Sequence, residues 1–130
     1  MQFIKLYPIV LVLLMAFDAI WLGLIVRSWY ARELGFIFSG KFSVVPALAF
    51  YLLYAAGIVF FVILPGQGNA LWRVFLTGAF LGLCAYGAYD LTNQATISQW
   101  PVAITFADMA WGAFATGAAS ALAVLIPHLF

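Results

Sequence analysis

Between Phe42 and Leu71 the chain carries no charged residue, and no other stretch narrows the choice of fold as much. About 20 predominantly apolar residues suffice to cross a bilayer core. The composition extends the point to the whole chain. Of its 130 residues 68% are hydrophobic and 7% charged, where a globular domain has about 45–50% apolar and about 25% charged. No soluble fold hides that much apolar surface, so the chain reads as an integral membrane protein, residues 1–130 forming a single transmembrane domain.

Four spans are expected, at about 3–26, 46–64, 74–92 and 101–126. At 1.5 Å rise per residue each matches a hydrocarbon core of about 30 Å. The fold class is therefore all-α, a four-helix bundle in the membrane. Pro46 and Pro101 fall where a first helical turn tolerates proline, and Pro65-Gly66 with Gly68-Asn69 form a breaker cluster after span two. Lys5 followed by an apolar run imitates a signal peptide. The apolar character resumes after Asp18 and no small-x-small cleavage site closes the run, so the segment reads as a retained helix.

The connection between spans one and two contains "RSWYARELG". Ser28 suits a helix cap, Gly35 a helix end, and Trp29 and Tyr30 the headgroup level, so a short interfacial helix is expected there. Trp72 and Trp100 are further interface candidates. Arg27, Arg32 and Lys41 lie on this side, and Lys5 and Arg73 on the other. The positive-inside rule therefore leans toward a cytoplasmic loop one, with both termini outside. A net charge of +1 excludes a basic nucleic-acid face. Cys84, the only cysteine, falls inside a span and reads as a small packing residue.

The acids carry the functional signal. Three of the four acidic residues, Asp18, Asp90 and Asp108, fall in spans. At helical rise Asp18 lies ~13 Å, Asp108 ~10 Å and Asp90 ~5–8 Å from the loop-one surface, so three helices bring carboxyls toward one leaflet. An Asp at a span centre costs about 2.5–3.5 kcal/mol on insertion scales, less near the ends. Such groups face the bundle interior and are paired, protonated, hydrated or cation-bound. Tyr86, Asp90 and Asn93 share a face of span three. Tyr51 and Tyr54 on span two lie at similar depth, and Arg27 is the nearest cation. The ligand- or proton-binding residues expected are Asp18, Asp90, Asn93 and Asp108, with Trp21, Tyr51, Tyr54, Tyr86 and Trp111 lining the pocket and Arg27 as charge partner. The polar stretch "YDLTNQATISQW", Tyr89 to Trp100, reads as the pocket's mouth.

"DAIWLG" from Asp18 and "DMAWG" from Asp108 share Asp-x-x-Trp on helices of opposite direction. That pattern fits either an inverted pair, as some transporters have, or coincidence. An indole one turn from a carboxyl can donate to it or wall it in. Gly78 and Gly82 on span three, and Gly112, Ala115 and Ala119 on span four, permit close helix approach, within the chain or in a homodimer. His128 lies far along span four from the acids, which argues against a His-bearing zinc site or a Ser-His-Asp triad. No Gly-rich phosphate loop is present.

"YDLTNQATISQWP" followed by "DMAWG", with "DAIWLG" near the start and "FYLLYAAGIVFFVILP" between, closely resembles the bacterial membrane-protein family catalogued as domain of unknown function 2177. The resemblance covers nearly the full chain. It implies a small protein of the bacterial inner membrane with four helices, and no known activity.

Three functions are compatible with these residues. The first is proton- or cation-linked binding or transport of a small or lipid-like ligand, the default for intramembrane acids. The second is an accessory or structural subunit of a larger membrane complex, with the acids as hydrogen-bonded helix glue. The third is a membrane-embedded enzyme on a lipid-like substrate, against which the absence of a clear nucleophile counts. No cofactor is expected. A divalent cation is the inorganic ligand that the acids and Asn93 suit, although no metal site is assigned. The expected partners are the lipid bilayer and a second copy or larger complex.

Overall fold

In the computed structural model, which describes residues 2–37 and 43–129, the chain is a bundle of four long helices and one short one. Helix α1 runs Gln2–Ile20 and continues as a π-helical turn over Trp21–Ile25. Helix α2, Arg27–Leu34, follows at once. Helix α3, Val44–Ile58, also ends in a π turn, Val59–Ile63. Helices α4, Leu71–Thr96, and α5, Val102–Leu125, complete the bundle, and α5 closes with a 3₁₀ turn at Ile126–Leu129. Four helices are long and apolar enough to cross a membrane. Lys41 and the side chain of His128 lie outside the described residues.

The span boundaries follow backbone chemistry. Pro101, extended at φ −71° and ψ 129°, precedes the first residue of α5, where its missing N–H costs nothing. The breaker cluster after α3 forms a tight turn. The Gly66 N–H returns to the Val62 and Ile63 carbonyls, and Gly68, at φ +84°, occupies the left-handed region open to glycine. Helix α4 runs past Thr92 to Thr96, further than hydropathy suggests. The Thr96 hydroxyl bonds the Thr92 carbonyl at 2.9 Å, so the last turn satisfies itself as it leaves the apolar layer.

One interior stripe per helix builds the core. On α1 it reads Leu6, Val10, Leu14 and Asp18, all buried at i, i+4 spacing. On α4 Val74, Gly78, Gly82 and Asp90 lie on one buried face. On α5 Ile104, Asp108, Gly112, Ala115 and Ala119 do the same. Asp18, Asp90 and Asp108 are thus interior for the geometric reason that makes Leu14 interior. Outward positions such as Leu24, Leu53 and Phe106 are largely exposed, as expected of a surface against lipid.

Helices α4 and α5 pack closest, through their small residues. A Cβ on Gly82 would overlap the Gly112 carbonyl, and one on Gly78 would meet Ser120 and the Thr116 carbonyl. The small faces are therefore turned toward each other within the chain. Cys84 differs from expectation, being exposed on the outer face of α4.

Helix α2 also departs from expectation. Its N-cap is Val26, with no side-chain capping bond from Ser28, because the helix starts directly off the π turn, the Tyr30 N–H taking the Val26 carbonyl at 2.8 Å. Tyr30 and Leu34 point inward and join Val26, Trp100 and Ile104 in a second apolar cluster. The short helix is a plug over one end of the bundle.

Candidate functional site

Beneath α2 lies a cavity of about 390 Å³, within the size range of small-molecule sites. Asp18 of α1, Asp90 of α4 and Asp108 of α5 all line it. Tyr51 and Phe50 of α3 and Tyr86 and Tyr89 of α4 add aromatic walls, and Tyr30, Leu34 and Trp100 close it at the loop-one end.

The three carboxyls have unlike partners. Asp18 is fully engaged: the Tyr51 hydroxyl donates to Oδ2 at 2.5 Å and the Trp111 indole donates to Oδ1 at 3.2 Å. Asp108 accepts one bond, from the Tyr30 hydroxyl at 3.1 Å. Asp90 is completely buried, and neither carboxyl oxygen receives a hydrogen bond from any donor among the described residues. It faces the carboxyl of Asp108, which has a hydrogen to offer only when protonated. Burial holds the Tyr30 phenol above its ordinary range, with the Asp108 charge adding to the effect, so Tyr30 stays a donor throughout the physiological range.

The two Asp-x-x-Trp motifs meet. Trp21 and Trp111 stack with centroids 4.8 Å apart and planes within 4°. Trp111 bonds Asp18, the acid of the other motif. On the opposite side the exchange is broken. Tyr30 occupies Asp108, and the buried Trp21 indole N–H has no partner among the described residues. Neither tryptophan lines the cavity, and of the two Trp111 alone bonds one of its acids among the described residues.

Other expected site residues are placed less centrally. Tyr54 bonds Thr116 at 2.8 Å and lines a second, apolar groove instead. Asn93 is half-buried on α4, and it does not line the cavity. Arg27 is exposed, and among the described residues the ion pair present is the surface one between Arg32 and Glu33 at 3.6 Å. No group of three His, Cys, Asp or Glu among the described residues is arranged to hold a metal ion. Asp18 is turned to its own donors while Asp90 and Asp108 face each other.

Two residues read as interfacial belong to the site. Tyr30, expected at headgroup level, is buried and bonded to Asp108. Trp100 folds back into the protein. Its indole donates to Thr105 at 3.0 Å, and the Thr105 hydroxyl reaches the Asp90 carbonyl at 3.5 Å. A Trp-Pro pair before a helix suits an interface residue and a capping lid equally, and only the fold distinguishes them.

A four-span helical membrane protein with a buried acidic cavity under an interfacial plug is the class these features define. A family model described as a predicted membrane protein (DUF2177) matches residues 3–125, and the chain belongs to that family. No curated protein and no solved structure matches it.

Proposed function

We propose that the chain binds or carries a small or lipid-like ligand in a bacterial inner membrane, with uptake of a proton or cation at Asp90 and Asp108. The observation that carries this reading is the buried Asp90 carboxyl, without a hydrogen-bond donor among the described residues and facing a second carboxyl in the cavity lining. Two ionised carboxylates held together in a low-dielectric interior repel, and burial adds to the cost. A single proton shared between them, or one bound cation, removes both penalties. Structural glue would be better served by the arrangement at Asp18, where every oxygen has a donor.

The groups that set the titration come from all sides of the pair. Asp108 faces Asp90 from α5, Tyr30 approaches from α2, Tyr89 lies on α4 itself, and Asp18 lines the same cavity from α1. No Lys or Arg among the described residues pairs with any of these acids. The Trp21–Trp111 stack adjoins the site and provides the reporter.

The test is a pH titration of tryptophan fluorescence in nanodiscs, with wild type, Asp18→Asn, Asp90→Asn and Asp108→Asn compared. A transition that Asp90→Asn and Asp108→Asn both shift supports the titrating pair. Flat profiles in all four proteins would remove this reading and favour a structural subunit of a larger complex.

A further inference from the structure

A second space adjoins the acidic cavity. It is a groove of about 540 Å³ on the outside of the bundle, bounded by Leu53, Gly57, Phe60 and Phe61 of α3, Leu81 of α4 and Phe3 of α1. Its lining is almost wholly apolar. Phe50 and Ala85 line both spaces, so the two adjoin at these side chains. From Phe50 to Phe61 the groove follows α3 for about 16 Å, the reach of a medium-length hydrocarbon chain.

From this continuity we infer that the ligand is a single-chain alkylammonium amphiphile, its cationic head at Asp90 and Asp108 and its tail leaving past Phe50 and Ala85 into the groove. The inference rests on the ligand-binding reading above and specifies its chemistry. The head requires positive charge and hydrogen-bond donors. The cavity offers a completely buried carboxyl, unpartnered among the described residues, beside a second one 9% exposed, and no basic side chain among its lining residues. A carboxylate or phosphate head would be repelled by the acids, with no basic side chain among the lining residues to offset them. The aromatic rings of Tyr30, Tyr86 and Trp100 line the cavity, and the face of such a ring attracts an ammonium group. The tail requires an apolar channel open to lipid, which the groove supplies, whereas a short hydrophilic cation would leave the groove unexplained.

The experiment is equilibrium dialysis of radiolabelled dodecylammonium against phosphatidylcholine nanodiscs, with and without the full chain. Dodecanol and propylammonium serve as competitors. Saturable binding near one per chain is expected, with dodecanol at least about tenfold weaker for want of charge. Propylammonium is expected to be weaker by a similar factor for want of a tail. Asp90→Asn should reduce dodecylammonium affinity at least about tenfold. Ala85→Phe, which fills the passage between the two spaces, should bring dodecylammonium down toward propylammonium.

Equal competition by dodecanol, or binding untouched by Asp90→Asn, would mean bilayer partitioning and overturn the inference. Propylammonium binding as tightly as dodecylammonium would overturn the tail's place in the groove. The competitor series is read on wild type, so it stands even if a variant fails to fold. A pH-dependent fluorescence transition that persists without dodecylammonium binding would remove this ligand class alone. Loss of the transition itself would remove the proton-linked reading beneath it.

Discussion

Three aspartates of the same type occupy one cavity and differ only in their donors, so they should respond differently to substitution. Asp18→Ala leaves the Tyr51 hydroxyl and the Trp111 indole without an acceptor in the interior. Each unsatisfied group costs about 1–3 kcal/mol, and a marked fall in thermal stability in detergent is expected. Asp90→Asn replaces a buried carboxyl that has no donor among the described residues with an amide able to donate to Asp108. Stability at neutral pH should be unchanged or higher, by on the order of 1 kcal/mol. Equal losses in the two variants would show that the donors do not distinguish the acids. Tyr30 adds a prediction with a sign. Its phenol is held above the ordinary value near 10 by burial, so above pH 10 the unfolded chain loses the proton that the folded chain keeps. Its stabilising contribution is complete below pH 10 and declines as pH rises beyond it. Tyr30→Phe should unfold more easily at neutral pH, for want of the bond to Asp108, and show a shallower alkaline decline in thermal melts. The acids were legible in the sequence because a carboxylate in an apolar run has few explanations. Tyr51 and Trp111 were expected near them, but the pairing of donor with acid was not legible, since Tyr30 lies 78 positions from Asp108 and Trp111 lies 93 from Asp18, and no local pattern reports a contact at that range.

At the scale of the helix, the length of the apolar runs indicated four spans and left their ends to local chemistry. Span three was expected at 74–92 and runs Leu71–Thr96, because hydropathy falls before the helical hydrogen bonds stop. The π turns at Trp21–Ile25 and Val59–Ile63 had no signal at all. Their residues are ordinary apolar ones, and the widening is visible only in bonds such as the Val26 N–H to the Trp21 carbonyl at 3.0 Å. Small residues carried information that the structure makes directional. Gly82→Ala sets a methyl group into the Gly112 backbone, which cannot swing aside as a side chain can. The α4–α5 pair must separate, and a cost of about 1–3 kcal/mol is expected. Gly23→Ala and Gly57→Ala meet nothing within 4 Å and should be neutral or slightly stabilising, since alanine favours a helix by about 0.5–1 kcal/mol over glycine. Thermal melts of the three variants separate close packing from a general intolerance of larger side chains.

Across the whole molecule, the acids, the plug and Trp100 lie toward one end of the bundle, and the side that end faces determines from where the proposed proton or ligand head would arrive. Charge distribution indicates this only faintly, with Arg27 and Arg32 near the plug against Lys5 and Arg73 at the other end. The fold provides a direct measurement, because the single native thiol, Cys84, is exposed on the flank of α4 among lipid-facing residues. A membrane-impermeant maleimide should not label it in intact cells, whereas it should react after unfolding. With that background silent, Ser28→Cys at the start of α2 and Gln67→Cys in the α3–α4 turn, both at exposed positions, should label from opposite faces of the membrane. Labelling of both from the same face would break the four-span topology. If Ser28→Cys reacts only once the inner face is made accessible, the plug is cytoplasmic, as the positive-inside rule leans, and the proposed proton would come from the cytoplasm. If it reacts in intact cells, the acidic pair opens outward, and an external pH gradient would load it directly.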